Sequence, residues 1–153
     1  MVIKIHFDGA VSKSQLGCDM GIGVAVFVDD EYREDLSKFV PVRGSHNSSS
    51  NVAEWIGCVE AFIVAYDLCQ KFDKFDKIEV YSDSQLITYQ YNDLYQIKKD
   101  NFQEYYRQAK IWAKKAGLQN LKVQWVRREL NKEADKLSKK AIKTFSSATV
   151  EIN

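Results

Sequence analysis

Four acidic residues, Asp8, Glu54, Asp83 and Asp135, stand where ordinary surface solvation explains them poorly. Asp8 follows the alternating run VIKIHF and Asp83 follows KIEVYS, so both read as carboxylates at strand ends. Sites in α/β sheets form outside the carboxyl ends of strands, and neighbouring strands lie about 4.8 Å apart, so two such acids on adjacent strands would converge. Each also has a bland reading. Asp8 could be a turn residue before Gly9, and Asp83 the N-cap of a helix opening at Ser84. Glu54 could complete a capping box with Asn51. On a helical wheel, however, it heads a face of Gly57, Cys58, Ala61, Ala65 and Leu68, away from the solvated line of Glu60, Asp67 and Lys71. Such small residues suggest a face pressed against another element, where acids are rare unless paired or bound to metal. Asp135 could simply complement a helix dipole. It nevertheless borders an apolar stripe, while Lys132, Lys136, Lys139 and Lys143 crowd the outer face. Four converging carboxylates with few bases among them would repel unless cations lay between. Two hard, oxygen-loving ions fit, Mg²⁺ above all. A pair about 3.5–4 Å apart stabilises the attacking and leaving oxygens of phosphodiester hydrolysis.

The elements that must position these acids follow from local pattern. Residues 2–7, 21–28 and 31–40 read as an antiparallel meander, with a loop from Asp8-Gly9 through Gly17 and a turn at Asp29-Asp30. The polar loop 43–51 precedes a helix over 52–70 with Val52, Ile56, Val59, Ile63 and Tyr66 on one stripe. A strand over 77–83, a short helix over 84–91 and an amphipathic helix over 101–116 come next. A last strand spans 121–126, and a last helix spans 131–145 on Ala134, Leu137, Ala141 and Phe145. The order β-β-β-α-β-α-α-β-α predicts an α/β (α+β) fold, a mixed sheet with helices on its faces. One domain over 1–145 is expected, with a loose tail over 146–153.

Composition narrows the class. At 153 residues, 45% hydrophobic and 28% charged, the chain has room for one ordinary globular core. No apolar run approaches the roughly 18 residues of a membrane span, and Lys4 and His6 interrupt the stretch where a signal peptide would be apolar. Cys18, Cys58 and Cys69 are odd in number and form no CxxC pair, which favours a reducing, intracellular compartment over a disulfide framework or zinc site. The net charge of +1 conceals a division: residues 98–143 hold 14 Lys/Arg against 5 Asp/Glu, and the rest 8 against 16. A basic face for a polyanion and a set of solvated helical lysines are both consistent with it.

Taken together, Asp8-Gly9 on the first strand, SSSNVAE opening the long helix, YSDS after a strand, and WVRRELNKEAD resemble type 1 ribonuclease H. The resemblance runs from about Val2 to Phe145. It implies a ribonuclease-H-like fold, a five-stranded mixed sheet with helices packed on both faces. It also implies that Asp8, Glu54, Asp83 and Asp135 are metal-binding catalytic carboxylates. The implied reaction is endonucleolytic cleavage of the RNA strand of an RNA–DNA hybrid, leaving 5′-phosphate and 3′-hydroxyl ends. Two Mg²⁺ ions would serve, with Mn²⁺ substituting. The expected protein is a monomer, with double-stranded RNA as a second candidate substrate.

Several positions depart from the family pattern. Many relatives carry a loop His before the last helix; this chain has Arg127-Arg128-Glu129-Leu130, similar to a compact subgroup, so Arg128 is the stand-in. The run that contacts the nucleic-acid backbone is represented by Ser49, Ser50 and Asn51. The phosphate-pocket Asn is replaced by Lys99, beside Lys98 and near Asn101, and Arg127 is expected to aid binding. The basic, Trp-bearing handle between the middle helices is absent, so hybrid affinity is either weak or rests on the 98–143 charges. His6 and His46 match no family role and read as a half-exposed strand residue and a loop residue. Rival readings are a silent binding module, a 3′–5′ exonuclease and a junction resolvase. The first has no physical reason to retain a repulsive acid cluster. The second usually shows Asp-x-Glu where this chain has Asp8-Gly9-Ala10.

Overall fold

Alternation of Ile3, Ile5 and Phe7 with Lys4 and His6 builds β1 (Val2–Ser14), whose apolar face is fully buried. The computed structural model describes residues 1–14, 17–43 and 50–152, with side chains described over 1–12, 19–33 and 50–143. β1 pairs antiparallel with β2 (Gly17–Val28), which pairs antiparallel with β3 (Glu31–Arg43). β4 (Lys77–Ser82) and β5 (Val123–Trp125) add in parallel on the other side, giving the order β3-β2-β1-β4-β5.

The expected loop over 9–17 is not what forms. β1 runs on to Ser14, and pairing continues from Gly9↔Ile22 to Ser14↔Gly17. The stretch GAVSKS lacks apolar alternation and earns its strand conformation from its hairpin partner. β3 likewise passes Pro41 to Arg43.

α1 (Ser50–Lys71) covers the Ile3, Ile5, Phe7, Ile22, Val24 face of the sheet with Trp55, Cys58, Phe62 and Ala65. Its small residues let it lie close: a Cβ on Gly9 would overlap the Ala53 carbonyl group. The Trp55 indole N–H is satisfied by Gln90 Oε1 at 3.0 Å. Losing a side chain such as Trp55 from this core would cost about 3–5 kcal/mol. α2 (Gln85–Tyr91) follows β4, and α3 (Asp100–Lys115) packs on α1 through Tyr105, Tyr106 and Trp112. Asn92 anchors β5, donating to the Val123 carbonyl at 2.7 Å and accepting from its N–H at 2.9 Å.

A single 3₁₀ turn (Arg128–Leu130) leads into α4 (Lys132–Ile152) on the opposite sheet face. Ala134 and Leu137 meet Ala25 there, and a Cβ on Gly23 would overlap the Ala134 carbonyl. The five-stranded mixed sheet with helices on both faces is the expected architecture. The last helix runs past Phe145, where it is expected to end, and continues to Ile152. SSATVE contains no Gly or Pro to stop it.

Candidate active site

The parallel pairing of β1 and β4 ends at Phe7↔Ser82, so Asp8 and Asp83 are the next residues on adjacent strands. Asp8 itself lies inside β1, opposite Gly23 of β2, and not at the strand's end. Its convergence with Asp83 comes from where β4 stops. Asp83 does not cap α2; Ser84 does, its hydroxyl accepting from the Ile87 N–H at 3.2 Å. Nor does Asn51 cap α1, which begins at Ser50, so Asn51 and Glu54 form no capping box. Glu54 instead points to the strand ends. Carboxylate oxygens of Asp8, Glu54 and Asp83 all lie within 4.8 Å of one another.

Asp135 stands at the margin of this trio. It lines the same cleft, of about 440 Å³, and its charge adds to the repulsion that raises Asp8. Its other side holds Lys139 Nζ at 3.0 Å, one helical turn on, so Lys139 reaches back to the cleft from the outer face assigned to it. Ser50 and Arg128 also line the cleft.

Burial and mutual repulsion dominate the electrostatics. Asp8 is 6% exposed, and its carboxyl is held well above the ordinary range first by desolvation, then by the charges of Asp83 and Glu54. Burial pushes Glu54 up to about 7, against a hydrogen bond from Ser84 and the pull of Arg128. Asp83 is raised by burial too, opposed by a hydrogen bond from Asn131 and by Arg128. Crowded, desolvated oxygen donors, offset only in part by Arg128 and by Lys139 on Asp135, suit a hard divalent ion.

A family model described as reverse transcriptase-like matches residues 6–141. The chain belongs to the ribonuclease H family. Among solved structures it is similar to LC11 ribonuclease H1, isolated from compost by a metagenomic approach. That match has 28% identity, covers 93% of this chain and 96% of that one, and has a TM-score of 0.75. A second LC11 structure, in complex with an RNA/DNA hybrid, matches at 24% identity over 93% and 97% of the chains, with a TM-score of 0.77. The N-terminal ribonuclease H domain of Rv2228c from Mycobacterium tuberculosis matches at 23% over 92% and 98%, with a TM-score of 0.71. Matches below 25% speak for the ribonuclease H fold.

Of the other residues singled out in the sequence of this ribonuclease H family member, the structure separates two groups. Arg128 faces the cleft, whereas its neighbour Arg127 is exposed outside the lining. Lys98 and Lys99 sit on the exposed α2–α3 connection and half-buried Asn101 in the first turn of α3, none of them lining the acid cleft. There Lys99 lies over the Phe102 ring at 5.3 Å and Asn101 Oδ1 accepts from the Phe102 N–H at 3.0 Å. Ser49 and His46 lie outside the described residues. His6 is half-buried on its strand. Sequence reasoning missed Ser84, Asn131 and Lys139 as partners of the acids. Only the N-cap signature at Ser84 and the i,i+4 spacing of Asp135 and Lys139 could have pointed to two of them.

Proposed function

We propose that this chain is an endonuclease that hydrolyses the RNA strand of RNA–DNA hybrids with two Mg²⁺ ions, leaving 5′-phosphate and 3′-hydroxyl ends. The observation that carries this reading is the trio Asp8, Glu54 and Asp83, with oxygens within 4.8 Å, joined by Asp135 across the same cleft. These four side chains would hold the ions, and Mn²⁺ would substitute, since both are hard cations suited to carboxylate oxygen. When bound, such ions supply charge neutralisation at the attacking and leaving oxygens of a phosphodiester.

The chain's own residues do the rest. Asp8, Glu54 and Asp83 set the position of the cluster from β1, the end of β4 and α1, all three packed into one core. Arg128, at the cleft and permanently charged, steers a phosphate and draws product away from Asp135. Ser50 lines the cleft where a backbone phosphate would pass, with Asn51 and Ser49 beside it in sequence. The basic 98–143 segment supplies counter-charge for the duplex. The LC11 relative bound to an RNA/DNA hybrid supports the choice of substrate. The protein acts as a monomer in this reading.

Incubation with end-labelled hybrid, double-stranded RNA and DNA duplex, in Mg²⁺ and separately in Mn²⁺, tests it. RNA-strand products of the hybrid should carry 5′-phosphates and appear at internal positions. Binding without cleavage would favour a silent module, and one-by-one shortening from the 3′ end would favour an exonuclease.

A further inference from the structure

Asn131 precedes α4 and is 1% exposed, yet its amide is fully engaged. Nδ2 donates to the Phe7 carbonyl at 2.9 Å. A carbonyl oxygen can only accept, so the amide nitrogen must face it and Oδ1 must face the other way. Opposite Oδ1, at 3.1 Å, stands His6 Nδ1. An amide oxygen cannot donate, so His6 must carry its proton on Nδ1. The imidazole is fixed in that orientation by its neighbours, stacked on Tyr81 at 4.8 Å and edge-on to Phe27 at 5.2 Å. The Asn131 main chain takes part as well, its carbonyl accepting from the Asp135 N–H at 3.1 Å. One buried residue thereby ties β1, at the carbonyl next to Asp8, to the first turn of the Asp135 helix.

We propose that His6 is a positioning residue of the nuclease site: its Nδ1–H holds the Asn131 amide, and through it the start of the helix bearing Asp135 against β1 beside Asp8. The proposal rests on the reading of Asp8 and Asp135 as site carboxylates. Without a donor at Nδ1, the buried Asn131 Oδ1 is left unsatisfied, and the amide is free to rotate away from the Phe7 carbonyl. Groups that orient a metal-ligating side chain in this way change metal affinity or activity by about 10–100-fold when lost.

The first test uses the unmodified, metal-free chain. A long-range ¹⁵N–¹H correlation spectrum should place the His6 proton on Nδ1, against the Nε2–H form that free histidine favours. Three variants follow, each checked for folding by circular dichroism. His6→Phe keeps a ring against Tyr81 but has no donor. His6→Gln carries its amide nitrogen where Nε2 was, and His6→Asn carries it where Nδ1 was. His6→Phe and His6→Gln should each lose about tenfold in Mn²⁺ affinity and in kcat, with KM for hybrid within about twofold. His6→Asn should restore both to within about threefold of the parent. An Nε2–H imidazole in the parent overturns the proposal whether or not any variant folds. So does a His6→Phe protein with parental Mn²⁺ affinity and kcat, or a His6→Asn protein no better than His6→Phe. A parent with Nδ1–H His6 that neither binds Mn²⁺ nor cleaves hybrid would overturn the nuclease reading, and the positioning role with it, while leaving the hydrogen bond intact.

Discussion

Neutralising one carboxylate of the trio should act in opposite directions on catalysis and on metal-free stability. Burial and the neighbouring charges raise the native pKa values of Asp8, Glu54 and Asp83 above their unfolded values. Between the ordinary carboxylate range near 4 and the value of about 7 at Glu54, the native protein therefore holds protons that the unfolded chain has released. Stability of the metal-free protein falls as pH rises through that window. Asp8→Asn removes one of the mutually repelling charges, so its melting temperature should exceed the parent's at pH 8 and the gap should shrink at pH 5. Each kcal/mol relieved is worth about 2–4 °C for a chain of this size. A gap that grows toward pH 5 would contradict the repulsion argument. Arg128 makes a separate prediction. Arginine, unlike histidine, exchanges no proton near neutral pH, so Arg128→Ala should lower turnover far less than loss of Asp8 does and should not change the shape of the pH–rate profile at pH 6–7. Arg128→His should introduce a limb there. Arg127→Ala, outside the cleft, should change binding through salt alone.

At the level of elements, the site depends on how closely two helices approach the sheet. Gly9→Ala would drive a methyl into the Ala53 carbonyl, and Gly23→Ala into that of Ala134. Each should destabilise by about 1–3 kcal/mol, read by urea denaturation, as overpacking of a tight contact does. Gly9→Ala should also weaken metal binding, because it pushes the Glu54 helix away from Asp8. An unchanged midpoint in either variant would mean that the helices have room the geometry denies them. Much of this arrangement was legible beforehand. The period-two runs before Asp8 and Asp83, and the small-residue face headed by Glu54, placed three acids on the right elements. The long β1–β2 hairpin was not legible, because Ser12, Lys13 and Ser14 take their strand form from pairing with residues 17–19 and not from their own pattern. Asn131 and His6 were equally hidden. Their contact spans 125 residues, and no local spacing encodes it.

Over the whole molecule, the charge division is what should couple the cleft to a long polyanion. Log K for hybrid should fall with log salt at about 0.9 per phosphate contact on a duplex, and Lys98→Ala/Lys99→Ala should flatten the slope by up to about two units. Both lysines are exposed on the α2–α3 connection and do not line the acid cleft, so kcat at saturating hybrid should stay within about twofold. An unchanged slope would make the basic half a solvated surface. The central claim, that the carboxylate cluster cleaves the RNA strand, is tested most directly by single-turnover hydrolysis of a hybrid labelled on its RNA strand, in Mg²⁺, with parent and Asp8→Asn side by side. The parent should cut internally, and Asp8→Asn, folded and binding hybrid at least as well, should be slower by at least about 10²–10³-fold, the scale of losing one electrostatic stabiliser of the transition state. Equal rates in the two proteins, or an uncut RNA strand in the parent, would contradict it.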